Sequence, residues 1–220
     1  LAAQRVELKR TSNTAGKVEV LLRTGKLEMI LGHFRQAEKS YVDAIAVQSE
    51  LRRDERDFWL IPHVQLAMLY QLEERFGRAE RILDDGFADI EQTRAVLAEH
   101  NAGLGMHADD LRVVAFTTMT LFQMKAWTYF GQGRFDEARR VAREVLAYLE
   151  TERTLTSPTI TDVRILLGRI EDSTDPGSSA ARRHFQTAVE RDLSSDLMRA
   201  IAQFEFARHL LLTGNDVAAE

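Results

Sequence analysis

Residues 122–146 read FQMKAWTYFGQGRFDEARRVAREVL. Apolar and small side chains return every three or four positions on both sides of Gly131-Gln132-Gly133. That period fits two amphipathic helices reversing at a glycine turn. Ala126 lies in the first helix and Ala138 twelve residues later, in the second. Antiparallel helices approach closely only where both carry small side chains, so such a pair marks where a hairpin crosses.

The same arrangement recurs along the chain. LLRTGKLEMILGHFRQAEKSYVDAIAV, starting at Leu21, carries Gly25 and Ala37, and HVQLAMLYQLEERFGRAERILDDGF, starting at His63, carries Ala67 and Ala79. VRILLGRIEDSTDPGSSAARRHFQTAVE from Val163 carries Gly168 and Ala181, and QFEFARHLLLTGNDVAAE from Gln203 carries Ala207 and Ala219. The offset is 12 in four segments and 13 in the fourth, where the turn Asp175-Pro176-Gly177 is one residue longer. Unrelated amphipathic helices would not keep one offset five times. Phe34, Tyr41, Tyr70, Phe76, Leu83, Tyr129, Phe135 and Phe185 are expected to fill the groove beside each contact. No run alternates in the manner of a half-buried strand. One hairpin cannot cover its own apolar faces, so neighbours must stack. The expected fold is therefore all-α, a right-handed α-solenoid of about five antiparallel helical hairpins in one repeat domain spanning 1–220.

The hairpins are expected at approximately 18–50, 60–100, 108–150, 158–192 and 196–220, the last truncated. Ser157-Pro158 supplies a helix cap followed by proline at the first helical position. Gly32, Gly77 and Gly133 each precede a renewed apolar run and mark helix boundaries. Successive first-helix small residues lie 42, 59, 42 and 39 apart. The long step places an insertion between the second and third hairpins. The segment from Phe87 to Leu111 fits either an extended helix with a loop or a partly mobile insertion.

Composition narrows the function. The chain has 220 residues, 45% hydrophobic and 29% charged, with 12 Gly and 3 Pro, which excludes disordered and collagen-like classes. No apolar stretch approaches the ~18 residues a membrane span needs. The absence of cysteine excludes disulfide scaffolds, cysteine zinc sites and a thiol nucleophile, and agrees with a cytoplasmic location. A net charge of −5 argues against direct binding of nucleic acid. The opening at Leu1 and the stop at Glu220 after an alanine-rich run read as the edges of a piece of a longer protein.

Catalytic chemistry finds no foothold. The six histidines never take the helical i, i+4 metal spacing with an intervening acid. His100 and His107 flank a Gly-rich stretch followed by Asp109 and Asp110, which reads as a solvated loop in preference to a metal or anion site. Gly103-Leu104-Gly105 lacks the third glycine and the preceding strand of a nucleotide fingerprint. Glu73-Glu74 and Asp84-Asp85 read as helix surface. The expectation is no enzyme, no metal and no cofactor.

The repeated segments resemble tetratricopeptide repeats. Gly25, Gly32, Phe34, Ala37, Tyr41 and Ala44 carry the resemblance in the first hairpin, and Ala126, Tyr129, Gly133, Phe135 and Ala138 in the third. It covers Val18 to Glu220. The steps exceed the family period of about 34, which is similar to the long-helix repeat domains of bacterial signalling ATPases and transcriptional activators. In such a solenoid the first helices line the concave face. Positions three before, one after and four after each small residue supply the candidate groove: Leu22, Lys26 and Met29; Val64, Met68 and Gln71; Gln123, Trp127 and Phe130; Ile165, Arg169 and Asp172; Phe204, Arg208 and Leu211. The partner-binding set drawn from these is Lys26, Met29, Val64, Met68, Gln71, Gln123, Trp127, Phe130, Arg169 and Arg208. Co-chaperone members of the family clamp a C-terminal carboxylate with Lys and Asn, and only Lys26 matches, so that ligand is not expected. Met and aromatic side chains suit an amphipathic helix or apolar peptide, with Arg169 and Arg208 pairing acidic groups.

The resemblance implies a non-enzymatic protein-interaction module of a larger bacterial cytoplasmic regulator. Two rivals stand beside it. One is a sensor closing on a small molecule or signal peptide around Trp127. The other is a self-assembly scaffold joined through its terminal hairpins, with Phe204, Phe206 and Leu210 exposed.

Overall fold

The computed structural model describes residues 14–50, 61–100, 108–151, 157–190 and 196–214. Among the described residues the structure is entirely helical. The helices are α1 (Thr14–Ile30), α2 (Phe34–Glu50), α3 (Ile61–Leu72), α4 (Phe76–His100), α5 (Ala108–Gly131), α6 (Phe135–Thr151), α7 (Ser157–Thr174), α8 (Ser179–Glu190) and α9 (Asp196–Leu212). The chain divides into two compact units, residues 1–128 and 129–220, with the boundary inside α5. In the first unit α1 packs on α2, α3 on α4, and α3 also on α1 and α2. In the second, α7 packs on α6 and α8, and α9 lies against both α7 and α8. The long step between the second and third hairpins is absorbed by two long helices, α4 of 25 residues and α5 of 24. The stretch between His100 and Asp109 expected as a loop falls largely on residues 101–107, outside the described residues, as does Ala219.

Three reversals share one hydrogen-bond pattern. At the end of α1 the amide of Gly32 donates to the Met29 carbonyl at 3.0 Å and that of His33 to Glu28 at 2.8 Å. Glu74 and Arg75 repeat this with Gln71 and Tyr70, and Gly133 and Arg134 with Phe130 and Tyr129. These paired bonds satisfy carbonyls left over at a helix end, and they need a left-handed residue at the second-last position. Gly32 and Gly133 supply φ of 75° and 74°. The second hairpin puts Glu74 there, at φ 56°. Gly77, which precedes the renewed apolar run, lies inside the first turn of α4. The turn position is fixed by hydrogen-bond register, and the nearest glycine is three residues too late to meet it.

Inside the hairpins the closest approach differs from the expected pairing of two small residues. A methyl placed on Gly25 would lie 2.5 Å from Cε1 of Tyr41, and one on Gly168 would lie 2.6 Å from Cε1 of Phe185. Each glycine thus makes room for a fully buried ring on the facing helix. Ala37 and Ala79 instead join a buried cluster with Tyr41, Leu66, Leu69 and Tyr70, where one hairpin meets the next. Ala67, Leu83, Ile90, Val114 and Leu121 form a second cluster.

Polar contacts pin neighbouring hairpins at matching repeat positions. Glu38, one residue after Ala37, accepts from the Tyr70 hydroxyl at 2.9 Å and from Arg75 at 2.9 and 3.2 Å. Arg139, one residue after Ala138, donates from Nε to Glu171 at 3.0 Å. Tyr70 and Glu171 both lie three residues after their own small residue, so one position carries both links, donating from a hydroxyl in one case and accepting from a guanidinium in the other. Burial pushes the Glu38 carboxyl up, but the bonds from Arg75 and Tyr70 outweigh it and hold the group below the usual glutamate range. Burial and the bond to Glu38 push the Tyr70 hydroxyl up to about 12.

Candidate functional site

The second unit contains a cavity of about 590 Å³ lined by Phe130, Arg169, Asp172, Ser173, Pro176, Gly177, Arg208, Leu212 and Thr213. Its volume falls among pockets that hold a small ligand or a cluster of side chains, roughly 300–1,000 Å³. Three consecutive hairpins build it. Phe130 comes from the last turn of α5, Arg169, Asp172 and Ser173 from α7, and Arg208 and Leu212 from α9. The four-residue step from Arg208 to Leu212 puts both on one face, as does the step from Arg169 to Ser173.

Each charged side chain in the cavity is held. The Arg169 guanidinium sits 5.1 Å from the centroid of the Phe130 ring, a cation–π distance. Arg208 donates from Nε to Glu205 at 3.0 Å, and its Nη2 lies 2.9 Å from the same carboxylate oxygen as an ion pair. Asp172 lies with its two carboxylate oxygens 2.8 and 3.0 Å from Nδ1 of His209, and this imidazole is itself buried against the Phe185 ring. The pair bridges α7 and α9 and fixes the cavity wall. The turn closes the opposite side, where a methyl on Gly177 would meet Thr213 at 3.1 Å. Two guanidiniums beside one aromatic ring can receive a carboxylate or other anion next to an apolar group.

The expected groove residues are distributed as follows. Phe130, Arg169 and Arg208 meet in this cavity, and Asp172 joins them. The other seven lie in the first unit. Lys26 is exposed, while Met68 and Trp127 are half-buried. Met29 packs on the cluster around Tyr41, and Val64 on the cluster around Leu83. Gln71 donates to the Met124 carbonyl at 2.8 Å and to the Thr128 hydroxyl at 2.9 Å, joining α3 to α5, and Gln123 is buried. Ser173, Pro176, Gly177, Leu212 and Thr213 also line the cavity and are not among the expected groove residues. The Asp175-Pro176-Gly177 turn was visible, but its approach to α9 depends on how the fourth and fifth hairpins stack. Of the three apolar side chains expected to be exposed on the last hairpin, Phe204 is, Phe206 is half-buried and Leu210 is buried. Leu210 lies three residues after Ala207, the position of buried Tyr70 and Tyr129, and so turns toward the core. No helix among the described residues is long and apolar enough to cross a membrane.

No protein-family model matches the sequence. Nor does any curated protein. Among solved structures, the chain is similar to BtubC (BKLC) from P. vanneervenii, with a TM-score of 0.65 and 17% identity over 94% of this chain and 76% of that one. It is also similar to the nearly identical TPR-like repeats of a kinesin light chain candidate from Podosopora anserina, with a TM-score of 0.55 and 18% identity over 95% of this chain and 92% of that one. At such identity the likeness concerns the fold, and the fold is that of TPR-like helical repeats.

Proposed function

We propose that this chain is a non-enzymatic protein-interaction module, and that the cavity of its second unit grips a short partner segment carrying an acidic group beside an apolar one. The observation that carries the reading is the meeting of Phe130, Arg169 and Arg208 from three hairpins around one cavity of about 590 Å³. The guanidiniums would pair the acidic group bidentately, and Phe130 and Leu212 would cover the apolar one. The first-unit members of the groove set, Lys26, Met29, Val64, Met68, Gln71, Gln123 and Trp127, are proposed as partner-contacting residues of that unit. Within this reading the chain serves as the partner-binding part of a larger bacterial cytoplasmic regulator, by resemblance to repeat domains of that kind.

Affinity capture from a bacterial lysate tests it, with the wild-type chain and an Arg169→Glu/Arg208→Glu variant as parallel baits. A protein retained by the first and lost from the second, at equal melting temperature, supports the module. Equal retention by both would sink the assignment to this cavity. The cavity volume also suits a small effector, which is the second reading. A metabolite that raises the melting temperature of the wild type but leaves the variant unmoved would favour that sensor role.

A further inference from the structure

One repeat position behaves differently at the start of the chain, and two others at its end. The residue two after the small residue of each first helix is Leu27, Leu69, Thr128, Ile170 and His209. The last four are 0–2% exposed, whereas Leu27 is 39% exposed. This side chain faces the preceding hairpin: the Thr128 hydroxyl accepts from Gln71, and Nδ1 of His209 lies 2.8 Å from the Asp172 carboxylate. Gln71 and Asp172 each lie four residues after their small residue, and so represent the opposite face, turned toward the following hairpin. On α9 that face carries Phe204 and Leu211, which are 66% and 58% exposed. Their counterparts three before and four after the earlier small residues are buried or half-buried throughout.

We infer that these are the two halves of one interface, and that the occupant of the α9 face is α1 of a second copy of this chain. Leu69 lies in one cluster with Leu22 and Met29, Thr128 meets Gln71, and His209 meets Asp172, so the face of Phe204 and Leu211 has the face of Leu27 as its counterpart at each of these junctions; α1 is the described first helix whose leading position lies open. Leu27 would meet Leu211 as Thr128 meets Gln71 and His209 meets Asp172 at the internal junctions, with Phe204 beside it. The contact is heterologous, because two different surfaces mate, so copies add head to tail into chains or rings and do not stop at a two-fold dimer. The inference does not depend on the cavity or on the proposed partner.

Sedimentation velocity over rising concentration tests it. The wild-type chain should show a mean mass that climbs past the dimer. Leu27→Lys and Phe204→Glu should each be monomeric alone, and an equimolar mixture should form a one-to-one dimer, since each variant keeps one intact face. Both side chains are exposed, so at a dilution where the wild type is monomeric the melting temperatures should match; Leu27→Gln and Leu211→Gln replace any charged variant that melts early. Three results overturn the inference: a wild type monomeric throughout, a single variant that still assembles alone, or a mixture that stays monomeric. The second would point to a symmetric contact, and the first would leave the α9 face to a different protein.

Discussion

The first and fourth hairpins close on a glycine facing an aromatic ring, whereas the second closes on an alanine with leucine at the matching position. Gly25 faces Tyr41 and Gly168 faces Phe185, with the ring atoms 2.5–2.9 Å from where a methyl would be. Ala67 and Leu83 share one buried cluster sixteen residues apart, the same separation as Gly25 and Tyr41. Side-chain volume is traded across the hairpin: a methyl removed from one helix admits a ring on the other. Close-packed interiors leave no slack for a change on one side alone.

Truncating a ring should break this arrangement most. Phe185→Ala is expected to cost about 3–5 kcal/mol, read as a lower denaturant midpoint at unchanged slope, because a cavity opens opposite a glycine that cannot fill it. Gly168→Ala overpacks the same contact and should cost about 1–3 kcal/mol. The comparison sharpens in the first hairpin. Gly25→Ala combined with Tyr41→Leu recreates the second hairpin's pairing, and should cost less than the sum of the single changes by about 0.5–3 kcal/mol in a double-mutant cycle. Strict additivity there would refute the volume trade.

Two smaller effects concern how the second hairpin is held. Glu38→Gln should destabilise by about 1 kcal/mol at neutral pH, allowing for solvent screening of a partly exposed cluster. Because the folded carboxyl is held below its unfolded value, its stabilisation is present above the ordinary glutamate range and is lost as pH falls through the folded value. The gap between wild-type and variant melting temperatures should therefore close in acid. Glu74→Gly relieves a side chain held at φ 56° where the first and third hairpins use glycine. It should gain up to about 1 kcal/mol in thermal unfolding, the smallest of these effects.

Much of the fold was legible because its signals are local. Apolar residues at helical spacing mark the helices, and the offset between small residues marks the hairpins. What that offset meant was less legible. Ala37 was expected opposite Gly25, but the ring at Tyr41 takes that place and Ala37 serves the junction with the next hairpin. Periodicity identifies a face, and four residues along the same face is still the same face. Phe130, Arg169 and Arg208 could be named from repeat position. The walls of their cavity at Pro176, Gly177 and Thr213 could not, since they belong to turns whose approach depends on stacking.

The sequence by itself determined that the chain is helical, where its hairpins reverse to within a few residues, and that its small residues recur in step. All of these follow from interactions within a few turns of helix. Only the tertiary structure decided that Glu74 takes the left-handed position, that the glycines serve rings, and that Leu27 and Phe204 stay open while their equivalents are covered. The first is settled by hydrogen-bond register and the second by packing within a hairpin; the third depends on which hairpin lies next to which, through contacts between residues tens of positions apart.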